Sequence, residues 1–433
     1  MAADAFIRGK AAPAVKHNKK SGAILKGLDM LPVDLTTDFF GRKISSPFII
    51  SASPHSDGYA QVKRAYEAGW PGVVMKTAFD GLDIHIPSEY MVTFNDSTYG
   101  NSDNVSGHTL DRVCGEVARL VKEFPDRMTA ASTGGPVTGN DAADRKVWQS
   151  NTLKLERAGA MAVEYSLSCP QGGDGTKGDI VSQDPELAAK IIGWVMEVSN
   201  PDIPKLFKLT GAVTSIYQVV DAIRKVYGKY PHKKAGITLA NSFPALAFRE
   251  GKGPWDEGMV VGMSGEGVAP ISNLTIAKAS KLNVPISGNG GPMDYKAAAH
   301  FLALGARSVQ FCTIVMKYGF GIIDELNEGL SHLLEEKGLK SVEELIGIAL
   351  PEPVTGFMDL SPVKKIPASD PELCMHCGNC LRCGYLAINL NKDRTPEIDA
   401  SKCIGCSLCV KKCFSGALKM RARTPAERKV TPE

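Results

Sequence analysis

The sequence predicts an α/β protein: a (β/α)8 TIM barrel followed by a small α+β, ferredoxin-like module. Two observations support this fold class. Eight short apolar runs alternate with amphipathic stretches between Phe48 and Cys312, and eight of the 11 cysteines lie between Cys374 and Cys413. Alternating strands and helices are typical of parallel strands joined by crossover helices, and eight repeats match a closed barrel. The competing architecture, a doubly wound open sheet, does not require eight regular repeats.

The apolar runs are the predicted barrel strands. In chain order they are Phe48–Ser51, Val73–Lys76, Arg127–Ser132, Ala162–Leu167, Leu206–Leu209, Gly236–Ala240, Val284–Ser287 and Ser308–Cys312. Longer stretches between them, such as Asp111–Glu123 and Pro185–Val198, carry apolar residues at helical spacing. The predicted organisation is an N-terminal arm (residues 1–33), the barrel (34–350), a proline-rich linker (351–369), the cysteine-rich module (370–422) and a charged, mobile tail (423–433).

The composition argues against several classes of protein. Hydrophobic residues make up 43% of the chain and charged residues 22%, as in ordinary soluble enzymes. The net charge of +3 gives no reason to expect a nucleic-acid partner. No apolar run approaches the about 18 residues that a membrane-spanning helix needs, and the polar, basic N-terminus does not resemble a signal peptide. We therefore expect a cytoplasmic protein without a membrane partner.

The cysteine-rich module is an internal duplication. Its two sets are Cys374, Cys377, Cys380 and Cys383, and Cys403, Cys406, Cys409 and Cys413; corresponding members are 29, 29, 29 and 30 residues apart. Two-residue spacing lets three thiolates surround one cubane while the fourth cysteine reaches the other, so this pattern predicts two [4Fe–4S] clusters. The first set has only two residues before its fourth cysteine, a departure that concerns Cys383. Structural zinc is the alternative, but zinc ribbons place a longer spacer between their cysteine pairs.

Small and polar residues follow the predicted barrel strands at the carboxyl ends, where barrels of this type carry their active sites. Gly290 and Gly291 follow strand seven, and Cys312 and Thr313 follow strand eight, where barrels commonly bind a phosphate. Glycine lets backbone N–H groups approach phosphate oxygens closely, and Gly265 offers a further close approach. No G-x-G-x-x-G motif follows the first strand of a βαβ unit, so we expect no nicotinamide-binding Rossmann domain.

Two lysines, Lys76 and Lys208, end predicted strands two and five. A buried ammonium group is costly unless an anion lies beside it. A reduced flavin supplies such an anion at its N1–C2=O edge, and a lysine there tunes the potential of the cofactor. The alternatives are that each lysine reaches solvent or pairs with a carboxylate.

Together these residues resemble the dihydropyrimidine dehydrogenase family, including the catalytic subunit of its bacterial NAD-dependent form, from about Asp34 to Met420. The resemblance rests on the cysteine module and on five motifs: Glu67-Ala-Gly-Trp70, Lys76-Thr77, Leu167-Ser-Cys-Pro170, Gln183-Asp-Pro-Glu-Leu187 and Lys208-Leu-Thr210. Dihydroorotate dehydrogenases of the cytosolic class are similar over the barrel but lack the cysteine module.

The resemblance implies an oxidoreductase that acts on a CH–CH or C=C bond of a pyrimidine-like cyclic amide. It implies FMN contacts from Ser51, Ala52, Lys76, Thr77, Asn101, Lys208, Ser242, Gly265, Gly290, Gly291, Cys312 and Thr313. It implies substrate contacts from Asn101, Asp103, Ser166, Ser168, Asn241 and Ser242. Cys169 would be the general acid, protonating the carbon next to the one that receives hydride from flavin N5. Judged from the residues alone, Cys169 is as well described as a small buried hydrophobe.

The resemblance also implies a mobile lid from Gly172 to Ser182, and electron exchange through the two clusters with a separate NAD(P)H- and FAD-containing subunit or a ferredoxin. It implies a homodimer or a hetero-oligomer. The chain departs from the family at Ser166, Gln171 and Asp103, where the family has asparagine, histidine and glutamate. A serine hydroxyl cannot reproduce the donor–acceptor pair of a carboxamide. Two other functions therefore stay open: a dihydroorotate dehydrogenase-like enzyme, and an electron-transfer subunit without catalysis.

Overall fold

The computed structural model describes residues 29–81, 86–103, 105–169, 180–251, 253–350, 352 and 356–432. The chain divides into two compact units, the first ending at Pro353 and the second beginning at Val354. Gln171 and most of the predicted lid lie outside the described residues. Among the described residues, no helix has the length and apolar character needed to cross a membrane.

The first unit is built around a closed barrel of eight parallel strands, which confirms the predicted fold class. The strands of this unit are β1 (Thr37–Phe39), β2 (Arg42–Ile44), β3 (Phe48–Ile50), β4 (Gly72–Val74), β5 (Met91–Asn95), β6 (Thr98–Asn101), β7 (Met128–Thr133), β8 (Ala162–Ser166), β9 (Lys205–Lys208), β10 (Ala235–Leu239), β11 (Phe243–Arg249), β12 (Glu257–Gly265), β13 (Ile286–Gly288) and β14 (Ala306–Phe311). The barrel runs β3, β4, β7, β8, β9, β10, β13 and β14, and β14 pairs with β3 to close it.

Helices connect the barrel strands and pack their apolar faces against them. They are α1 (Tyr59–Glu67), α2 (Leu110–Glu123), α3 (Asp141–Arg157), α4 (Pro185–Val198), α5 (Ile216–Tyr227), α6 (Ala269–Ser280), α7 (Tyr295–Ala303), α8 (Thr313–Tyr318), α9 (Ile322–Glu336) and α10 (Val342–Leu345). Helix α4 shows why the sequence begins a helix where it does. The Asp184 carboxylate accepts hydrogen bonds from the N–H groups of Glu186 and Leu187, and Pro185 occupies the first helical position.

The interior of the barrel has an apolar layer below a polar one. On β8 the side chains alternate, so that Val163 and Tyr165 belong to the core shared with the helices while Glu164 joins a hydrogen-bond network across the barrel. The apolar layer consists of Ile49, Val74, Met128, Ala130, Ala162 and Leu206, together with Phe39 and Ile44 of the β1–β2 hairpin. Polar side chains therefore collect toward the carboxyl ends of the strands.

A four-stranded antiparallel sheet, in the order β11–β12–β6–β5, is an element that the sequence does not predict. Its strands contain several glycines and exposed positions, so they lack the apolar alternation that marks a half-buried strand. Its register pairs Gly262 of β12 with Asn101 of β6, and Asn101 with Met91 of β5. These strands place Asn101 and Gly265, both predicted site residues, close to the barrel rim.

The second unit contains two short antiparallel strand pairs. Its elements are β15 (Ile366–Ser369), β16 (Ile388–Leu390), β17 (Pro396–Ile398), α11 (Leu408–Lys412), β18 (Leu418–Arg421) and α12 (Pro425–Lys429). Strand β15 pairs with β18, and β16 with β17. Strand β15 belongs to the module although the sequence predicts a linker there, because its pairing partner lies about 50 residues away.

The predicted tail, residues 423–433, contacts the module over its described residues up to Pro432. Arg423 is only 4% exposed, and its guanidinium group donates hydrogen bonds to the backbone oxygens of Ala400 and Cys403. Thr424 and Glu427 then form a reciprocal capping box at the start of α12. The charged composition suggested a solvated tail, but these contacts anchor it to the module.

Candidate active site

A cavity of about 400 Å³ opens at the carboxyl ends of the barrel strands, a volume within the range of small-molecule sites. Every residue predicted to contact cofactor or substrate lines it: Ser51, Ala52, Lys76, Thr77, Asn101, Asp103, Ser166, Ser168, Cys169, Lys208, Asn241, Ser242, Gly265, Gly290, Gly291, Cys312 and Thr313. The closed barrel brings them together because parallel strands end on one rim. Their individual roles stay predictions.

Three glycines line one wall of the cavity, where no side chain covers the backbone. All have positive φ: +86° at Gly265, +90° at Gly290 and +122° at Gly291. A Cβ at Gly290 would lie 2.6 Å from the backbone oxygen of Ala240, and one at Gly291 would lie 2.5 Å from the Cα of Ala269. Only glycine therefore fits these positions, and their backbone is open to a ligand in the way that phosphate groups require.

Lys208 lies at the floor of the cavity and is 7% exposed. Its ammonium group donates a hydrogen bond of 3.2 Å to Ser51 Oγ, and Glu164 Oε1 lies 3.8 Å from its Nζ. Asn289 Nδ2 donates to the same Ser51 oxygen at 3.1 Å. Asn289 also lines the cavity, but it was not predicted as a site residue. Its position directly before Gly290 was the available signal.

Lys76 forms a buried ion pair with Asp103, whose side chain is 4% exposed. The other oxygen of Asp103, Oδ1, has no hydrogen-bond partner among the described residues. Lys76 and Lys208 thus each lie beside a carboxylate, which is the alternative considered above. Each of these buried lysines therefore has a carboxylate partner within the chain, and its burial alone does not indicate a bound anion.

Cys169 lies beside two polar side chains of the cavity. Ser166 Oγ donates a hydrogen bond of 2.9 Å to Cys169 Sγ, and Asn241 Nδ2 lies 3.9 Å from the same sulfur. Burial raises the pKa of the Cys169 thiol above its ordinary value, while the hydrogen bond from Ser166 and the positive charge of Lys208 oppose that rise. The thiol is therefore protonated at neutral pH and able to give up a proton inside the cavity.

Ser166→Ala tests this hydrogen bond directly. Because the hydroxyl stabilises the thiolate, we expect its removal to raise the pKa of Cys169 further and to slow alkylation of Cys169 by iodoacetamide at pH 8 about fivefold, the factor equivalent to about 1 kcal/mol. Mass spectrometry of the peptide containing Cys169 measures the rate. Ser168→Ala is the matched control, because Ser168 Oγ accepts from Asn241 at 2.9 Å. Equal alkylation rates in wild type and Ser166→Ala would contradict the assignment.

The end of the predicted lid is a fixed part of the site. Residues 170–179 lie outside the described chain, but Ile180 lines the cavity and Val181–Gln183 form a short 3-10 turn. Ser182 is fully buried, and its Oγ accepts a hydrogen bond of 3.0 Å from the N–H of Thr210. The lid prediction therefore concerns only the part of the loop before Ile180.

In the second unit the cysteines line two cavities, each reached by both halves of the duplication. One cavity, of about 30 Å³, is lined by Cys374, Cys377, Cys380 and Cys413. The other, of about 90 Å³, is lined by Cys403, Cys406, Cys409 and Cys383, and also by Cys380. The fourth cysteine of each set thus lies with the first three of the other set, the arrangement of two-cluster ferredoxins.

Each of the two cavities is lined by at least four cysteines. A tetrahedral zinc site requires four ligands about 2.0–2.3 Å from one point. Cysteines that instead surround a cavity suit a multi-atom cluster, so the residues present fit [4Fe–4S] cubanes.

The sequence matches known proteins over nearly its whole length. Residues 34–334 match the dihydroorotate dehydrogenase family, and residues 396–419 match the 4Fe-4S binding domain family. The NAD-dependent dihydropyrimidine dehydrogenase subunit PreA of Escherichia coli is 29% identical over 90% of this chain and 96% of its own length. The chloroplastic dihydropyrimidine dehydrogenase (NADP(+)) of Arabidopsis thaliana is 27% identical over 73% of this chain and 77% of its own length.

A dihydroorotate dehydrogenase is also among the similar proteins. The catalytic subunit of dihydroorotate dehydrogenase B (NAD(+)) from Pyrococcus furiosus is 36% identical over 45% of this chain and 62% of its own length. These matches confirm the resemblance predicted from the motifs, in both the barrel and the cysteine module. The chain belongs to the dihydroorotate dehydrogenase family of flavin-dependent oxidoreductases that act on CH–CH groups, and it carries a 4Fe-4S binding domain.

Proposed function

We propose that the chain is the FMN- and iron–sulfur-containing catalytic subunit of a dihydropyrimidine dehydrogenase-like enzyme. The observation that carries the proposal is that one cavity holds Cys169, Lys208 and three glycines whose backbone is open to a ligand. The similarity to two dihydropyrimidine dehydrogenases, one of them matched over almost its whole length, supports the same substrate class.

The cavity fits FMN. Gly265, Gly290 and Gly291 leave backbone open for the phosphate, and Thr313 adds a hydroxyl. Lys208 and Ser51 supply donors for the polar edge of the ring, and Lys76, Thr77, Ala52, Asn101, Ser242 and Cys312 complete the proposed contacts. When bound, FMN supplies a hydride acceptor and donor at its N5 atom.

Cys169 is the proposed general acid. In the reductive direction its thiol gives a proton from Sγ to the carbon next to the one that receives hydride, and in the oxidative direction the thiolate takes that proton back. Ser166 and Lys208 stabilise the thiolate, because one donates a hydrogen bond to Sγ and the other carries a positive charge.

The substrate pocket is polar on the side formed by Asn101, Asp103, Ser168, Asn241 and Ser242. Asp103 Oδ1, which has no hydrogen-bond partner in the part of the chain that the structure describes, is an acceptor for a ring N–H. Ser166 directs its hydroxyl at Cys169, so it is less available to the substrate than an asparagine would be. We therefore propose a cyclic amide of the pyrimidine type whose ring is read mainly by Asn101, Asp103 and Asn241.

Eight cysteines are the proposed ligands of two [4Fe–4S] clusters that pass electrons to or from a separate partner. The relative in Escherichia coli is named as an NAD-dependent subunit, which supports an NAD(P)H- and FAD-containing subunit as the partner; a ferredoxin is the alternative. We propose a homodimer or hetero-oligomer in the cytoplasm, where reducing conditions keep cysteine ligands available.

Cysteine substitutions test the crossed ligand sets. If Cys383 and Cys406 bind the same cluster, Cys383→Ala and Cys406→Ala each remove about half of the iron and lose the same electron paramagnetic resonance signal. Cys413→Ala and Cys377→Ala lose the other signal. Full iron content in Cys383→Ala, with Cys406→Ala depleted, would show that Cys383 is not a ligand.

Anaerobic stopped-flow spectroscopy tests the proposed function. Dihydrouracil or dihydrothymine, mixed with the oxidised chain, is expected to bleach the visible flavin band. The bleaching is expected to be complete within seconds of mixing. Dihydroorotate is the matched comparison, because the family and the Pyrococcus furiosus relative favour it as a second candidate. Bleaching by dihydroorotate alone would replace the proposed substrate class, and bleaching by none of the three would contradict the proposed function.

A further inference from the structure

Glu164 is a fully buried carboxylate that the proposed mechanism does not use. It lies in the middle of β8, inside the barrel and below the cavity. Its Oε2 atom accepts hydrogen bonds from Thr238 Oγ1 at 2.7 Å and from Gln310 Nε2 at 2.9 Å. Its Oε1 atom has no hydrogen-bond partner among the described residues and lies 3.8 Å from Lys208 Nζ.

The network around Glu164 holds the carboxylate in one orientation. Gln310 Nε2 also lies 3.2 Å from Thr238 Oγ1 and 3.2 Å from Ser287 Oγ, which in turn contacts Ser308 Oγ at 2.8 Å. With Oε2 bound by two donors, Oε1 is left for Lys208. A buried carboxylate with a free oxygen is costly unless a positive charge lies close to it. The arrangement is therefore that of an ion pair rather than of a space-filling polar residue.

The ion pair between Glu164 and Lys208 affects the net charge of the cavity lining. Among the described residues that line the cavity, the charged side chains are Lys76, Asp103 and Lys208. Lys76 and Asp103 form their own ion pair, so Lys208 leaves one positive charge on the lining. Glu164, just below the lining, offsets that charge. Without Glu164, a ligand in the cavity would lie above an uncompensated ammonium group.

We propose that Glu164 is a positioning residue that acts through Lys208: it holds the ammonium group toward Ser51 and offsets its charge, and so keeps the reduction potential of the bound flavin lower than Lys208 alone would set it. The inference rests on the proposed function, because it concerns flavin in this cavity. Reduction adds negative charge to a flavin, and a positive charge nearby favours the reduced form. Glu164 opposes that effect.

Glu164→Gln tests the charge with little change of shape. We expect at least a tenfold shift of the flavin equilibrium toward the reduced form, a rise of about 30 mV for a two-electron couple, measured by anaerobic dye-linked titration. A second readout needs no flavin. Lys208 already favours the Cys169 thiolate, so its uncompensated charge is expected to speed alkylation of Cys169 at pH 7.5 by threefold or more.

Thr238→Val is the matched control, because it removes one hydrogen bond to Glu164 but keeps the carboxylate. A purely structural role for Glu164 predicts that both variants lower the thermal midpoint. It also predicts that both leave the flavin reduction potential and the alkylation rate of Cys169 unchanged. A charge-offset role predicts that only Glu164→Gln moves the two readouts. Unchanged readouts in folded Glu164→Gln would overturn the inference.

Two further variants test the inference if Glu164→Gln on its own does not fold. Lys208→Met leaves Glu164 unpaired and is expected to lower the flavin potential, whereas Lys208→Met with Glu164→Gln removes both charges and is expected to bring it back toward wild type. Equal potentials in these two variants would overturn the inference. Failure of the wild type to bind flavin would instead count against the proposed function, while alkylation of Cys169 still tests the charge offset in the wild type and in any variant that loses its flavin.

Discussion

Cys169→Ala is expected to lower the rate of substrate-dependent flavin reduction by about 10²–10⁴-fold, the usual effect of removing a general acid or base, while leaving the flavin content unchanged. The physical reason is that the cavity holds the thiol next to Ser166 and Asn241, which is where the proposed mechanism places the proton exchange of the reacting carbon. Stopped-flow spectroscopy gives the rate, and the released flavin is measured separately. The expected loss is therefore in catalysis and not in binding.

The pH profile gives this prediction a second test. In the reductive direction the thiol must carry its proton, and burial raises the pKa of Cys169 above its ordinary value. The rate is therefore expected to stay constant through neutral pH and to fall only as the pH rises through that elevated pKa.

Cys114→Ala is the control for Cys169→Ala, because Cys114 is a partly buried cysteine on α2 that does not line the cavity. Turnover within threefold of wild type in Cys169→Ala would contradict the proposed role.

Gly265→Ala is expected to reduce the flavin content at least tenfold and to lower the thermal midpoint. A Cβ at this position would overlap the backbone oxygen of Ser97, which accepts a hydrogen bond of 2.8 Å from the N–H of Glu266. The wall must shift to admit the methyl group, and a side chain at this backbone conformation (φ 86°, ψ −159°) adds about 1–3 kcal/mol of its own. Flavin released by denaturation, counted per chain, measures the effect.

Gly139→Ala is the matched control for that substitution. Gly139 has φ +84°, against +86° for Gly265, but nothing lies within 4 Å of a Cβ built there. It therefore shares the positive φ without the overlap. We expect Gly139→Ala to keep its flavin and to lose only a small part of its stability. Equal losses in both variants would mean that the close approach at Gly265 plays no part in binding.

The site could be located from the sequence because one topological rule applies to it. In a closed parallel barrel every strand ends on the same rim, so residues as distant as Ser51 and Thr313 must meet there once the eight strands are recognised. The crossed placement of Cys383 and Cys413 follows in the same way from the duplicated spacing. In both cases a regular repeat in the chain determines which residues are neighbours in space.

Features that depend on pairings between irregular segments were missed. The sheet containing Asn101 and Gly262 depends on a register between strands about 160 residues apart, and neither strand has a clear apolar alternation. The anchoring of Arg423 depends on two backbone oxygens, which no side-chain pattern reveals. Glu164 was missed because it is a single charged residue within a mostly apolar run. Such an interruption inside a strand was the available signal for the buried ion pair with Lys208.

The cofactor content of the anaerobically purified chain tests the central claim most directly, because the claim requires a flavin in the barrel and two cubanes in the module of the same chain. The expected result is one FMN, about eight iron atoms and about eight acid-labile sulfides per chain, with the flavin lost selectively in Gly265→Ala and half the iron lost in Cys406→Ala. A chain that carries zinc without labile sulfide, or that binds no flavin when supplied with FMN, would contradict the account.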